Sequence, residues 1–230
     1  MIGDVVVGDD GRSRCAWVGA DAEYARYHDE EWGRELRGDR ALFEKVSLEG
    51  FQAGLSWITI LRKRPRFREV FAGFEPEVVA AFDEADVERL MADAGVIRNR
   101  AKILATISNA GLVAQMEPGE FEALLWSFAP ASGVRPATLA DVPAVTAESE
   151  AMSKALRRRG FRFVGPTTMY ALMQSAGMVD DHVAACWRAV DDIALLPRAG
   201  GSRPATLADV ATLRDDPLGR MGMDERTRHG

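Results

Sequence analysis

Arg159-Gly160-Phe161-Arg162-Phe163-Val164-Gly165-Pro166-Thr167-Thr168-Met169-Tyr170 is the stretch that decides the fold. Two glycines bracket a short apolar turn, and the residues on either side carry helical periodicity. Pro166 suits the first position of the second helix, where a backbone N–H has no partner to lose and φ is already set. The stretch therefore reads as helix, hairpin, helix. A turn of this kind points free N–H groups outward at a helix N-terminus, which suits a phosphate. Gly165 and Thr167 are the expected DNA-contact positions in it.

Working outward, the same periodicity gives helices over residues 21–28, 39–53, 57–70, 76–82, 84–94, 97–111, 119–128, 147–158, 166–176 and 180–188. Asp21 and Ser56 are the expected N-caps of the first and third. Leu42, Val46, Glu49 and Ala53 fall on one stripe of the second, which Gly54 ends. Residues 1–13 read as a loose extension and 130–143 as a loop. Beyond about residue 190 the apolar periodicity fades into a tail. Without convincing β-alternation, the expected class is all-α, with a core domain over residues 14–190. The octapeptide RPATLADV occurs twice, at 135–142 and 203–210, too few copies for a repeat architecture.

The 230 residues, 47% hydrophobic and 28% charged, are enough for one buried core. No apolar run reaches the roughly 18 residues of a membrane span, and the first residues do not have the form of a signal peptide. A cytoplasmic protein is the default expectation. The net charge of −6 argues mildly against nucleic acid, but phosphate contacts need only local clusters of cations. Two such clusters exist: Arg62, Lys63, Arg64, Arg66 and Arg68, and Lys154, Arg157, Arg158, Arg159 and Arg162.

Three further features point to chemistry. Cys15 and His28 near one end, with His182 and Cys186 near the other, make a two-Cys, two-His set of the kind zinc prefers. His182 and Cys186, four apart, would share one face of the expected last helix. A closed set of four protein ligands implies a structural ion, one per chain. The alternative is two buried free cysteines and two unrelated histidines. Trp17, Tyr24, Tyr27 and Trp32 crowd into sixteen residues, suiting a pocket that stacks a flat ligand, with core packing as the alternative. Trp57 adds another wall. Glu49 breaks an apolar stripe and needs a partner: either a neighbouring arginine or the edge of a bound base.

Taken together, the strings R-C-A-W-V (14–18), Y-H-D-E-E-W-G (27–33), L-E-G-F-Q-A-G-L-S-W-I-T (48–59), D-A-G-V-I-R-N-R-A-K-I (93–103), L-W-S-F (125–128), R-R-G-F-R-F-V-G-P-T (158–167) and D-D-H-V-A-A-C (180–186) closely resemble the DNA-3-methyladenine glycosylase I family. The resemblance runs in order from about residue 14 to 187. It implies an all-α helix-hairpin-helix glycosylase fold, with zinc held by Cys15, His28, His182 and Cys186 joining the N-terminal segment to the last core helix. It implies Glu49 as the catalytic carboxylate that contacts the excised base. Trp17, Tyr24, Tyr27, Trp32 and Trp57 become the substrate-binding aromatics, and Gln52, Gly54 and Leu55 the turn that probes the DNA. The implied partner is duplex DNA carrying alkylated bases, with no membrane and no obligate protein partner, acted on by a monomer. The implied reaction is hydrolytic release of 3-methyladenine, leaving an abasic site. Many helix-hairpin-helix glycosylases carry an essential Asp in a V-D-x-H context. Here that context is Val179-Asp180-Asp181-His182, which makes Asp180 either an electrostatic aid to the sugar cation or a cap beside the zinc ligand. The competing readings are a DNA-lesion-binding protein without catalysis and a purely structural zinc domain.

Overall fold

The computed structural model describes residues 3–131 and 133–188. The expected tail and the second octapeptide lie outside the described residues. Among those described, nine α-helices follow one another: α1 (Ala22–Glu30), α2 (Asp39–Gln52), α3 (Trp57–Val70), α4 (Pro76–Ala80), α5 (Glu84–Ala92), α6 (Arg100–Val113), α7 (Glu120–Trp126), α8 (Ala147–Arg158) and α9 (Pro166–Ser175). They pack around α2, which meets α3, α6, α7 and α9 and is buried on nearly every side. Phe43 and Phe51 of α2 sit with Phe67, Phe71 and Phe74 in a fully buried aromatic cluster. Phe71 and Phe74 stack with ring centroids 5.4 Å apart.

Three sequence expectations need correction. First, the N-terminal extension is not loose. Val5–Val7 (β1) pairs antiparallel with Ser13–Cys15 (β2), Val5 opposite Cys15. The three β-branched valines followed by Gly8-Asp9-Asp10-Gly11 carry a hairpin signal that the helical reading passed over. Second, α2 ends at Gln52, so Ala53 is exposed rather than part of the buried stripe. Third, no helix spans 180–186. The Asp180 carboxylate accepts from His182 N at 3.2 Å, and Ala184 N donates away to Pro136 O at 3.0 Å. Amides that a helix would use are committed elsewhere, so His182 and Cys186 lie in a turn.

The connection from α8 to α9 is the decisive stretch. Gly160 follows the end of α8 with φ +96°. Its N–H donates to Arg157 O, and the N–H of Phe161 reaches back to Leu156 O at 3.1 Å, the paired bonds of a Schellman ending. Side chains from inside the fold hold the rest of the turn. Asn109 on α6 accepts from Arg162 N at 2.9 Å and donates to Arg162 O at 3.0 Å. Ser153 donates to Val164 O at 2.6 Å. Phe163 takes a left-handed φ of +56° and stays exposed. The bracketing glycines do different things. Gly165 has an ordinary φ of −64°, and an added Cβ would meet nothing closer than Arg157 Nη2 at 3.5 Å. Gly160→Ala must place an L-residue in left-handed space, at about 1–2 kcal/mol. It should lower the melting temperature by roughly 2–8 °C, whereas Gly165→Ala should melt close to the parent protein. Thermal unfolding of the two variants checks the contrast.

Candidate active site and metal centre

α1 begins where the sequence places its cap: the Asp21 side chain accepts from the amides of Glu23 and Tyr24, each at 3.0 Å. From that start, Tyr24 stands on the first turn and Tyr27 and His28 on the next. α3 begins at Ser56 as expected, but Ser56 gives its amides no side-chain cap. Its hydroxyl pairs with that of Thr59 instead. The amide of Ile58 donates to Tyr24 Oη at 3.1 Å, so an aromatic from α1 closes the N-terminus of α3.

Trp17, Tyr24, Tyr27, Trp32 and Trp57 all line one cavity of about 380 Å³, together with Glu49 and Gln52. That volume is within the usual range for small-molecule sites. Trp17 stands edge-on to Tyr24 and to Trp32, with centroids 5.3 and 5.1 Å apart. Tyr27 and Trp57 are tilted at 5.5 Å. The far wall holds residues that sequence reasoning did not single out. Leu139 and Val142 come from the first octapeptide, Ala171, Gln174 and Ser175 from α9, and Asp181 from the segment after it. The Asp181 carboxylate accepts from Tyr170 Oη at 2.6 Å and Gln174 Nε2 at 2.7 Å. Asp180 points away from the cavity, paired with Arg135 and bonded to the His182 amide. Of the two adjacent acids, the neighbour of the expected one reaches the pocket.

Glu49 is buried, 3% exposed. Its Oε1 meets Lys45 Nζ at 3.3 Å and the Ser175 hydroxyl at 3.1 Å. Burial pushes the Glu49 carboxyl above its ordinary value, and attraction to Lys45 pulls it back. Burial likewise lowers Lys45, against the pull of Glu49. The i, i+4 spacing of Lys45 and Glu49 was the sequence signal for this pair. The expected arginine partner is absent from the carboxylate, and a lysine on its own helix takes that place.

The Gln52–Leu55 turn sits at the mouth. Gly54 takes φ +83°, Leu55 is exposed, and Gln52 lines the cavity. Lys102, itself buried, reaches across from α6 and donates to Phe51 O at 2.8 Å and Ala53 O at 2.6 Å. A cation at the C-terminus of α2 satisfies carbonyls that the helix leaves open.

Behind the pocket, Cys15, His28, His182 and Cys186 come together, all buried, with one potential ligand atom from each within 4.8 Å of the others. Cys186 Sγ lies 3.4 Å from His28 Nε2 and 3.6 Å from His182 Nδ1, and Cys15 Sγ lies 3.9 Å from His182 Nδ1. This cluster could hold a metal ion. A hydrogen bond from Cys15 holds the Cys186 thiol far below its ordinary value, with His182 and His28 adding to it. Cys15, on the other side of that bond, is pushed up. His28 Nδ1 pairs with Asp29 Oδ1 at 2.8 Å, which fixes the ring and turns Nε2 to the cluster. Burial alone would raise Asp29, but bonds from Arg14, His28 and Trp187 hold it below its ordinary value. Arg14 in turn is gripped by Asp10 from the hairpin loop. The cluster and the pocket share walls: Trp17 packs on His28 at 5.4 Å and Trp32 on His182 at 4.7 Å.

The two cationic clusters fare differently. Arg62, Arg64, Arg66 and Arg68 all pair with carboxylates, and Lys63 donates to Ala94 O. Among the described residues, Lys154, Arg157, Arg158, Arg159 and Arg162 make no ion pair, and all are exposed around the α8–α9 turn. Thr167 is exposed on the first turn of α9 beside them. Lys154, Arg157 and Arg158 border a shallow groove of about 370 Å³ with Pro166.

The methyladenine glycosylase family matches residues 17–189. DNA-3-methyladenine glycosylase 1 of Escherichia coli strain K12 is 50% identical over 177 residues, covering 75% of this chain and 95% of that protein. DNA-3-methyladenine glycosylase of Haemophilus influenzae is 48% identical over 179 residues, covering 76% and 96%. Among solved structures, a 3-methyladenine DNA glycosylase I superposes with a TM-score of 0.72 at 46% identity, over 76% of this chain and 98% of the other. The enzyme of that name from Staphylococcus aureus, whose structure describes 3-methyladenine recognition, gives 0.70 at 35% identity, over 75% and 94%. On identity and coverage alike, the chain belongs to the methyladenine glycosylase family.

Proposed function

We propose that this chain is a base-excision repair enzyme that hydrolyses the N-glycosidic bond of 3-methyladenine in duplex DNA, working as a monomer in the cytoplasm. The observation that carries the reading is the cavity: five aromatic side chains around a buried carboxylate, Glu49, with a second, Asp181, already bonded to Tyr170 and Gln174. The target base inside a duplex cannot reach such a pocket, so the nucleotide is flipped out, at a few kcal/mol. Methylation at N3 leaves the base cationic and the glycosidic bond already weak, so the leaving group needs no proton. The pocket's task is to select and orient. Aromatic faces hold a cationic ring at about 0.5–2 kcal/mol each, and Glu49 accepts a hydrogen bond from the base edge. Water then attacks the sugar, and the strand is left uncut at an abasic site.

DNA is held in this reading at the α8–α9 turn, as in a helix-hairpin-helix element, with Gly165 giving a phosphate close approach to the N-terminus of α9. The unpaired cations around it supply the sequence-independent attraction, and Gln52, Gly54 and Leu55 fill the gap left by the flipped nucleotide. The catalytic domain takes in residues 14–190, with 191–230 as a tail. With no helix there to cap, Asp180 pairs with Arg135 and accepts from the His182 amide, bracing the segment that carries His182.

The four-residue cluster is a structural zinc site in this reading. Zinc bonds of about 2.3 Å to sulfur and 2.0–2.1 Å to nitrogen put tetrahedral ligand atoms about 3.4–3.8 Å apart, close to the three contacts of 3.4, 3.6 and 3.9 Å in a set that spreads to 4.8 Å. Four protein ligands leave no place for water, so the ion's chemistry is to crosslink, and Cys15, His28, His182 and Cys186 do no step of the reaction.

Glu49→Gln sets a donor against the base's donor, a buried mismatch of about 1–3 kcal/mol, so single-turnover release of 3-methyladenine should fall roughly five- to 150-fold. Asp180→Asn should release nearly as fast as the parent. Normal release by Glu49→Gln with collapse in Asp180→Asn would reverse the assignment. Arg157→Ala with Arg158→Ala should weaken binding to plain and alkylated duplex alike and flatten the salt dependence by roughly two counterions; a loss confined to alkylated DNA would argue against this surface. Elemental analysis should find one zinc per chain, and Cys186→Ser should lose it along with much of the protein's stability. A fully folded metal-free protein of parental stability would refute the zinc assignment.

A further inference from the structure

Lys45 is a buried charge that the reaction scheme above leaves unused. It lies one turn before Glu49 on α2, behind the cavity wall. Three groups surround its ammonium. Nζ donates to Tyr27 Oη at 2.9 Å, meets Glu49 Oε1 at 3.3 Å and stands 3.9 Å from the centre of the Trp57 ring. An ammonium can only donate. Tyr27 Oη must therefore accept from it, which leaves the phenol's own hydrogen for a different partner. On Glu49, Lys45 and Ser175 both meet Oε1, and Oε2 is left for whatever enters the cavity. The wall thus offers a phenol donor and a carboxylate acceptor, their polarity set by a residue that does not line the cavity.

We propose that Lys45 is a positioning residue for base recognition: by engaging Tyr27 Oη and Glu49 Oε1 together it fixes Tyr27 as donor and Glu49 as ionised acceptor. That pair selects a base edge combining a ring-nitrogen acceptor with an amino donor. Adenine presents such an edge, with N7 beside its amino group, whereas guanine's N7 and O6 are both acceptors and would set lone pairs against the carboxylate. The proposal rests on Glu49 being the base-contacting carboxylate.

The other charges near the pair are accounted for. Arg64 of α3 is paired with Glu31, just after α1, and both act on Lys45 at longer range. Tyr27 is raised by its burial. Asp181, across the cavity, is committed to Tyr170 and Gln174. Ser175 from α9 carries no charge. Lys45 alone puts a positive charge against Glu49, so removing it should make the carboxylate easier to protonate. A protonated Glu49 no longer offers its acceptor, and binding on the acid side should fail at a higher pH.

The test is the affinity of free 3-methyladenine, by titration calorimetry across pH 5–9, for the parent protein, Lys45→Met, Lys45→Gln and Glu49→Gln. The same probe serves throughout, so its own titration cancels in the comparison. Lys45→Met should bind about tenfold more weakly at neutral pH, and the midpoint of its acid limb should rise by about one unit. Zinc content and duplex affinity should stay at parental values. Lys45→Gln keeps a donor for Tyr27 without the charge. It should recover part of the affinity and still show the raised midpoint, and it decides the matter alone if Lys45→Met does not fold. An unmoved acid limb in whichever variant folds overturns the proposal, whatever the affinity. Parental affinity in Glu49→Gln would overturn the underlying reading of Glu49 instead. Borohydride trapping of the parent protein on abasic DNA, lost in Lys45→Met, would make Lys45 a nucleophile and also overturn the positioning role.

Discussion

The pocket exists only if the two ends of the described chain meet. Its walls come from residues 17–32, 49–57, 139–142 and 171–181, and the meeting point is the cluster of Cys15, His28, His182 and Cys186. The segment after α9 has given up helical hydrogen bonds to reach it, sending amides to Pro136 and to the Asp180 side chain. Irregular backbone of this kind has little local stability of its own. What fixes it must be external, and the buried Cys and His side chains are placed to do so. Trp17 and Trp32, packed on the histidines, carry that rigidity into the pocket.

A second constraint is polar. α2 is the most enclosed helix, yet it carries Lys45 and Glu49 into the interior. Replacing a buried ion pair by apolar residues of similar volume is often neutral or stabilising by about 1–4 kcal/mol. Stability alone is thus a weak reason for this pair. The geometry supplies a better one, because each charge also touches a residue of the pocket wall: Lys45 meets Tyr27 and Trp57, and Glu49 meets Ser175. The same economy governs the turn at the end of α2. There Lys102 takes up the open carbonyls, and the backbone around Gly54 is free to enter left-handed space.

Much of this was legible in the sequence because it depends on local rules. Helix starts at Asp21 and Pro166 follow from capping and proline geometry, and Glu49 stood out as a charge on an apolar stripe. What escaped depends on contacts distant in sequence. Tyr24 capping α3, Asn109 holding the α8–α9 turn and Arg135 drawing Asp180 away from the cavity have no local signature. The i, i+4 spacing of His182 and Cys186 suggested a helix, but a tight turn satisfies the same convergence. The cationic clusters show the limit most clearly. Read as strings they are equals, and only the carboxylates facing α3 separate the neutralised set from the open one.

The first β-hairpin bears on where this domain can be cut. The family model matches from residue 17, yet Cys15 closes β2 and Arg14 beside it braces Asp29 and, through it, His28. A fragment trimmed to the matched span would keep every pocket aromatic and the whole α8–α9 turn. It would arrive with three of the four buried cluster residues and an Asp29 deprived of its arginine. The packed edge of the domain therefore lies upstream of the span that the family model matches, at the valines of β1 rather than at Trp17.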